Sequence, residues 1–355
     1  MTLTFLHSNL RKMSQEMFVK VGVPKQDAGL VADHLVDSDM FGHNTHGVLR
    51  LPQYVDMVRE GVVTPGASLR VLKDNDFSSR LCGGWNFGPV SAQLAMEFAL
   101  NKLLKGAVMS VVTVRNCNHI ARLGRFVSLA TKADAIGIIT SNGHGGDLAV
   151  APFGGTDRRL PTNPIAFGIP TGLDWPVILD MTTSMISGGD LRLLRNTGEL
   201  APPDSVIDAS GNLAREAEAF YGPPQGAILP LGYPKSGHKG FGLSMLVDIL
   251  SGALSGAECS KENYKRSGNA LFVAVLRISA FRELESFFEE VRGFVTRMKN
   301  SPTAKGSTDV FFPGEKAHKH YQKTSKNGIL VDDVAWKKIS ELAVELGVNL
   351  PKPLS

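Results

Sequence analysis

The stretch VMSVVTVRNCNHIARLGRFVSLATKADAIGIITSNGHGG (residues 108–146) decides the fold class. VMSVVTV (108–114) and AIGIIT (135–140) are short, β-branched apolar runs, as buried strands require. Between them, residues 125–133 space their apolar positions as a helix does. Strand, helix and strand in close succession read as α/β. The second run is followed by Ser141-Asn142-Gly143-His144-Gly145-Gly146, which begins like the dinucleotide fingerprint G-x-G-x-x-G. Leu148 stands where the third glycine belongs, and Pro152 with Gly154-Gly155 makes a poor helix start. That fingerprint needs a strand, then glycines, then a helix, so an ordinary Rossmann site is excluded here. No other G-x-G-x-x-G occurs in the chain.

Working outward, IAFGIP (165–170), PVILDM (176–181) and FVAVLRI (272–278) are further strands. Residues 92–105 have a helical pattern, and 242–254 are apolar enough to predict a buried helix. Both ends of the chain are helical in texture. Ser8 is placed to cap a helix running to about Lys20, and Gly22-Val23-Pro24 breaks it. Ala28, Val31, Leu35 and Met40 then mark a second helix, ended by Gly42. Near the other end, Phe281, Leu284, Phe287, Phe288, Val291, Phe294 and Met298 form one apolar stripe. Trp336, Ile339, Leu342, Ala343 and Leu346 form another, with Asp332 or Asp333 as its cap. The expected organisation is a helical unit built from residues 1–75 and 300–355, flanking a central α/β domain over 76–299.

Composition narrows the function. The 355 residues carry 38 Lys+Arg against 34 Asp+Glu, with 43% apolar and 20% charged residues. Such a chain folds into about two domains' worth of core. No run of five or six Lys/Arg tracks a nucleic-acid backbone. No apolar stretch approaches the ~20 residues that span a bilayer, and the N-terminus lacks a signal-peptide pattern. The three cysteines, Cys82, Cys117 and Cys259, are too few and scattered for a disulfide framework, so a reducing cytoplasm is the expected compartment. Cys117 reads as a small buried filler. His43/His46 and His318/His320 lack a metal-binding frame, and no metal is expected.

Five clusters are able to carry chemistry. In Gly42-His43-Asn44-Thr45-His46-Gly47-Val48-Leu49-Arg50, a continuous helix would set His46 and Arg50 on one face. A histidine suits proton transfer near neutrality, and an arginine fork matches a carboxylate. The same residues also make an ordinary capped helix start. Arg115-Asn116-Cys117-Asn118-His119 follows a strand, where α/β proteins place sites, or is a solvated loop. The Ser141 cluster is the third. In Leu231 to Gly242, Gly232 and Gly237 have P-loop spacing, but Lys239 falls one place late and Gly240 replaces the Mg²⁺-binding hydroxyl. Those glycines either receive a phosphate beside His238 and Lys239 or open a helix. Asp180 to Ser184 ends a strand, where the carboxylate orients a histidine, accepts a ribose hydroxyl, or caps a neighbouring segment.

In order, these segments resemble the malate/L-lactate dehydrogenase family of the non-Rossmann type, with its ureidoglycolate, sulfolactate and diketogulonate dehydrogenases and cyclic-imine reductases. The matching stretches are GHNTHGVLRLPQY (42–54), RNCNHIARLG (115–124), APFGG (151–155), LPTNPIAFGIP (160–170), ILDMTTS (178–184), ILPLGY (228–233), HKGFGLSMLVDILSGALSG (238–256) and FPGE (312–315). The resemblance implies an α/β fold with a mixed or largely antiparallel sheet that binds NAD or NADP without the glycine fingerprint. It also implies a homodimer with its site between the helical part and the nucleotide domain. It assigns His46 as acid/base, with Thr45 beside it, Arg50 as carboxylate clamp and His119 as a second candidate acid/base. Asp180 would support the acid or touch the nicotinamide ribose. Thr162, Asn163, Pro164, Met181, Thr182, Ser184, His238, Lys239, Gly314 and Glu315 would line the nucleotide. Pro161, Cys117, Ala121 and Ser205 depart from the family pattern. The unusual Arg158-Arg159 pair becomes a candidate contact for a cofactor phosphate.

The expected reaction is hydride exchange between NAD(P) and a small 2-hydroxy or 2-oxo carboxylic acid, or a cyclic imine acid. Two alternatives stand beside it: phosphoryl transfer at the Lys239 loop, and a nucleotide-binding relative without redox activity.

Overall fold

The computed structural model describes residues 2–144, 148–262 and 266–354, so Gly145 and Gly146 of the third cluster lie outside the described residues. The chain begins with β1 (Thr2–Phe5), α1 (His7–Lys20), α2 (Lys25–Met40) and α3 (Leu51–Arg59). It continues through β2 (Arg70–Asp74), β3 (Ser78–Cys82), α4 (Gly88–Leu104), β4 (Met109–Cys117), α5 (Gly124–Lys132), β5 (Ala135–His144), β6 (Ile165–Ile169) and β7 (Val177–Met181). Then come α6 (Gly188–Thr197), β8 (Val206–Ile207), β9 (Leu213–Ala214), α7 (Ala217–Tyr221), β10 (Ala227–Ile228) and α8 (Gly237–Asp248). A π-helical turn, Ile249–Ala253, extends α8. The chain closes with β11 (Gly268–Arg277), α9 (Leu284–Lys299), α10 (Glu315–Asn327), β12 (Ile329–Asp332) and α11 (Asp333–Glu345).

Seven strands form one mixed sheet in the order β2-β3-β4-β11-β5-β6-β7. Only β3 and β4 run parallel; the other five neighbouring pairs are antiparallel. This is not the all-parallel, doubly wound sheet that carries the glycine fingerprint. The two strands quoted first flank β11 on either side. They run further than their apolar texture indicates, so Arg115 to Cys117 and Ser141 to His144 are strand and not loop.

One face of the sheet is covered by α4 and α5. Val112, Val114, Leu271, Val273 and Ile139 meet Ala95, Met96, Ala99, Phe126 and Val127 there, all fully buried. Cys117 lies in this core as a filler. The alanines of α4 let it approach closely, and its mixed register of small and large side chains fills the gap.

The opposite face carries α8, held by polar groups. Asp248 is buried and accepts from Asn142 Nδ2 (3.1 Å), Asn163 Nδ2 (3.0 Å) and the Ser260 amide (2.8 Å). Ser251 bonds Thr140 across the same seam at 2.7 Å. Val247 is buried, but Met245, Leu246, Ile249 and Leu254 face outward, with Leu246 57% and Leu254 54% exposed. The buried helix expected over 242–254 is therefore inverted. Apolar composition alone does not reveal which face carries the polar partners.

A second core joins the chain ends. Phe5, Leu10, Met17, Phe18, Leu35, Leu51 and Tyr54 pack with Ile329, Ile339 and Ala343. β1 pairs antiparallel with β12, Thr2 opposite Asp332, and Phe5 meets Trp336 at 4.1 Å between ring centroids. Asp332 caps α11, accepting from Ala335 N at 2.8 Å. Ser8 does not cap α1, because the helix starts at His7 and Leu6 holds the cap position. The apolar stripe of residues 281–298 is only partly covered: Leu284, Phe287, Phe288 and Val291 are half-buried, while Phe281, Phe294 and Met298 are exposed.

The Asp248 hub predicts a measurable cost. Asp248→Ala removes the acceptor shared by Asn142, Asn163 and Ser260 and should lower unfolding free energy by about 3 kcal/mol in a urea titration. A loss below about 1 kcal/mol would show that solvent or rearrangement satisfies them.

Candidate active site

The segment between α2 and α3 is folded by one buried carboxylate. Asp39 accepts from the Val48 amide at 2.8 Å. A Cβ on residue 47 would sit 1.8 Å from Asp39 Oδ1, so only glycine admits this approach. Consequently the chain does not run as one helix through His46 and Arg50. It makes two 3₁₀ turns, Asn44–His46 and Val48–Arg50, separated at Gly47 in an extended conformation. The helical reading of this stretch is corrected, yet the two side chains remain neighbours. Arg50 Nε donates to the Thr45 carbonyl at 2.7 Å, Arg50 Nη1 donates to Gln53 Oε1 at 2.6 Å, and the guanidinium charge bears on His46.

His119, just beyond β4, completes a triangle. Its ring centroid lies 5.6 Å from that of His46, and its Nδ1 shares a hydrogen bond of 2.8 Å with the Tyr54 hydroxyl. Tyr54 is a member of this cluster that sequence reasoning missed. It sits four residues after Arg50 at the start of α3, a spacing that was readable.

The electrostatics favour neutral imidazoles. Burial, followed by Arg50, holds His46 down to about 3. Burial, Arg50 and His46 hold His119 well below its ordinary range. His43 is held at about 4, mainly by burial. His46 Nδ1 is buried without a hydrogen-bond partner. Burial pushes Asp39 up to about 8 against the opposing Val48 amide. The pair of histidines is thus unprotonated at neutral pH, beside a cation suited to a carboxylate.

Asp180 stands where β7 meets α5. Its carboxylate accepts from the Gly124 amide at 2.6 Å and faces Arg122. It therefore anchors the α5 N-terminus, and neither His46 nor His119 bonds it. Arg122 lies over the Phe41 ring at 4.5 Å, and its amide donates to His34 Nε2 at 3.2 Å.

The remaining motif residues form a band leading away from this centre. The Thr162 carbonyl accepts from the Thr183 amide at 3.0 Å, and the Leu231 amide donates to the Thr183 carbonyl at 3.0 Å. Pro164 accepts from the Ser141 amide at 3.1 Å. Thr162, Met181 and Thr182 are half-buried, while His238 and Lys239 are exposed on the first turn of α8. Other side chains are spent internally. Asn163 holds Ser244 and Asp248, and Ser184 Oγ donates to the Ile186 carbonyl at 2.8 Å. Glu315 is buried, 2.6 Å from Lys299 Nζ and 3.1 Å from Lys319 Nζ. Gly314, at φ +91°, packs on Ile178. Arg158 caps the Gly226 carbonyl at 2.7 Å and stacks on Phe220, and Arg159 pairs with Asp157 and Glu262. That arginine pair already has partners away from this band.

The glycine-rich stretch before residue 242 does not form a P-loop. Residues 237–242 are already helical, and a Cβ on Gly240 would stand 2.3 Å from the Leu231 carbonyl oxygen. Glycine is needed there for packing. Among the described residues, no cluster of three or more His, Cys, Asp or Glu could hold a metal ion, and no helix is long and apolar enough to cross a membrane.

A family model described as malate/L-lactate dehydrogenase matches residues 5–340. The chain belongs to this family. Among relatives of this dehydrogenase, a malate dehydrogenase of Pyrococcus abyssi is 34% identical, over 94% of this chain and 92% of its own. An L-sulfolactate dehydrogenase of Methanocaldococcus jannaschii is 33% identical, over 96% and 97%. The structure of a malate dehydrogenase from Entamoeba histolytica superposes with TM-score 0.93 at 26% identity, covering 99% of this chain and 100% of that one. Membership makes the protein a dehydrogenase of hydroxy acids, and the mixed sheet of the fold is that of its relatives.

The buried Asp39 predicts an opposed pH response. A carboxyl raised in the folded state stabilises below its unfolded value near 4 and loses that contribution as pH rises to about 8. Asp39→Asn keeps an acceptor for Val48 without the titration. Relative to wild type, the variant should gain more than about 1 kcal/mol between pH 5 and pH 8 in urea unfolding. A pH-independent difference would refute the assignment.

Proposed function

We propose that the protein interconverts a small 2-hydroxy acid and its 2-oxo acid with NAD or NADP. The observation that carries this reading is the convergence of His46, His119 and Arg50 on one turn, with both imidazoles neutral. The donor set suits a dinucleotide. Exposed Lys239 and His238 lie on the first turn of a twelve-residue helix, where amides and dipole favour a pyrophosphate. Half-buried Thr162, Met181 and Thr182 continue toward Asp180 and could line the ribose and nicotinamide. A bound nicotinamide supplies or removes the hydride.

The chain's own residues do the rest. Arg50 receives the substrate carboxylate, oriented by its bonds to the Thr45 carbonyl and Gln53. In oxidation, neutral His46 takes the hydroxyl proton. In reduction, the carboxylate offsets the Arg50 charge that disfavours imidazolium, so His46 can take up a proton and deliver it to the carbonyl oxygen. Tyr54 holds the His119 ring beside this exchange. Thr45 supports the turn and borders the substrate.

A homodimer is part of this proposal, as is a cytoplasmic setting. The outward apolar row of Met245, Leu246, Ile249 and Leu254 is the surface that a second copy would cover. We place the helical part at 1–75 and 300–355 and the nucleotide domain at 76–299. Leu246→Asp should shift the sedimenting species from dimer to monomer; a wild type that sediments as a monomer at micromolar concentration refutes the dimer.

The central test mixes the protein with NADH or NADPH and a panel of 2-oxo acids and follows nicotinamide absorbance. Oxidation dependent on one acid supports the reading and identifies the nucleotide. His46→Ala should lower turnover by about 10²–10⁴-fold while nucleotide still quenches protein fluorescence. Unchanged turnover in that variant transfers the role to His119.

A further inference from the structure

Arg122 is held in place without being satisfied. It is 7% exposed, its Cζ lies 4.5 Å from the Phe41 ring centroid, and Phe41 stacks in turn on Tyr321 at 4.7 Å. Its amide donates to His34 Nε2 at 3.2 Å, which ties its backbone to α2. Yet its Nε is buried without an acceptor, and its side chain makes no hydrogen bond or ion pair among the described residues. The surrounding carboxylates are engaged elsewhere. Asp37 pairs with Arg11 and Arg125, and Asp180 accepts from the Gly124 amide at 2.6 Å. A buried guanidinium is rich in donors, and leaving them without acceptors is costly unless a ligand completes them.

Arg122 also stands between the two halves of the proposed site. A Cβ on Gly124 would lie 3.2 Å from Arg122 Nη1 and 3.0 Å from Asp180 Oδ2. The guanidinium is therefore beside the end of β7, where the half-buried band of Thr162, Met181 and Thr182 arrives. On its other side, Phe41 leads into the 3₁₀ turn that carries His46. After burial, Arg122 is the foremost influence keeping His43 neutral, and it adds to Arg50 and His43 at His46. Hydride passes only when the two carbons approach to about 3–3.5 Å. A nicotinamide lying along the band must therefore reach from Asp180 to the substrate at His46 and Arg50, and that span passes Arg122.

We propose that Arg122 faces the nicotinamide, donates to its carboxamide oxygen, and makes the site favour the reduced, uncharged ring over the oxidised pyridinium. This rests on the dehydrogenase reading above and adds which redox form of the nucleotide the site retains. An arginine stays charged, and with no carboxylate paired to it that charge repels a pyridinium in a buried setting.

The test is equilibrium binding, by calorimetry, of NADH, NAD⁺ and nicotinic acid adenine dinucleotide, which carries a carboxylate in place of the carboxamide; the phosphorylated series replaces them if NADP is the nucleotide bound. Wild type should bind the reduced form at least about tenfold more tightly than the oxidised form, and the carboxylate analogue more tightly than NAD⁺. Arg122→Gln should bring both ratios toward one. Arg122→Lys should keep the reduced-form preference, which follows charge, and lose part of the analogue's advantage, which follows the planar fork. Should the glutamine variant fail to fold, the wild-type ratios and the lysine variant decide. Equal weakening of all three nucleotides in Arg122→Gln, or ratios that do not change, overturn the inference, because a merely structural arginine would act that way. A wild type that binds and turns over nicotinamide nucleotide without either preference also overturns it and leaves the dehydrogenase reading intact. A wild type that binds no nucleotide of either series removes both.

Discussion

The contact between the Asp39 carboxylate and the Gly47-Val48 backbone governs the geometry of this enzyme. Without it, a helix running through this stretch would set Arg50 one turn after His46. With it, the chain is pulled off the helical path at Gly47 and resumes in a second short turn. Arg50 is then directed back on the Thr45 carbonyl, and Tyr54 reaches His119. Burying a carboxyl is unfavourable, and the upward displacement of its protonation range records that cost. The site is organised by a group that makes no contact with the reacting atoms.

The second organising feature is a concentration of positive charge around histidines. Arg122 bears on His43, Arg50 and Arg122 bear on His46, and Arg125 and Arg122 bear on His34. Asp37, ion-paired with Arg11 and Arg125, and Asp180, facing Arg122, balance part of that charge from the far side. An anionic substrate enters a region already short of negative charge, and the imidazoles stay neutral until it does.

Much of this was legible in the residues. The α/β class followed from short β-branched runs alternating with helical spacing, and the absent fingerprint agrees with a sheet that is antiparallel in five of six pairings. His46, Arg50 and His119 were readable because motif chemistry is local. What escaped was long-range. Asp39 lies at the end of α2 among apolar positions, and nothing in its neighbourhood signals that Gly47 will press against it. The inversion of α8 depends on Asn142 and Asn163, each more than 80 positions away. Arg158 looked available for a phosphate because its partners, the carbonyls of Phe220 and Gly226, are backbone atoms without a sequence signature.

The clasp between β1 and β12 has a consequence for how the enzyme is made. The core beneath His46 combines Leu35, Leu51 and Tyr54 with Ile329, Ile339 and Ala343, and the Leu354 amide donates to the Thr4 carbonyl at 2.7 Å. On the ribosome, the first helices therefore emerge with their apolar faces uncovered and wait through the whole seven-stranded-sheet segment for their partners. The sheet's core closes first, because its contributors end at β11. The cluster of His46, Arg50 and His119 thereby lacks part of its supporting core until β12 and α11 have been translated.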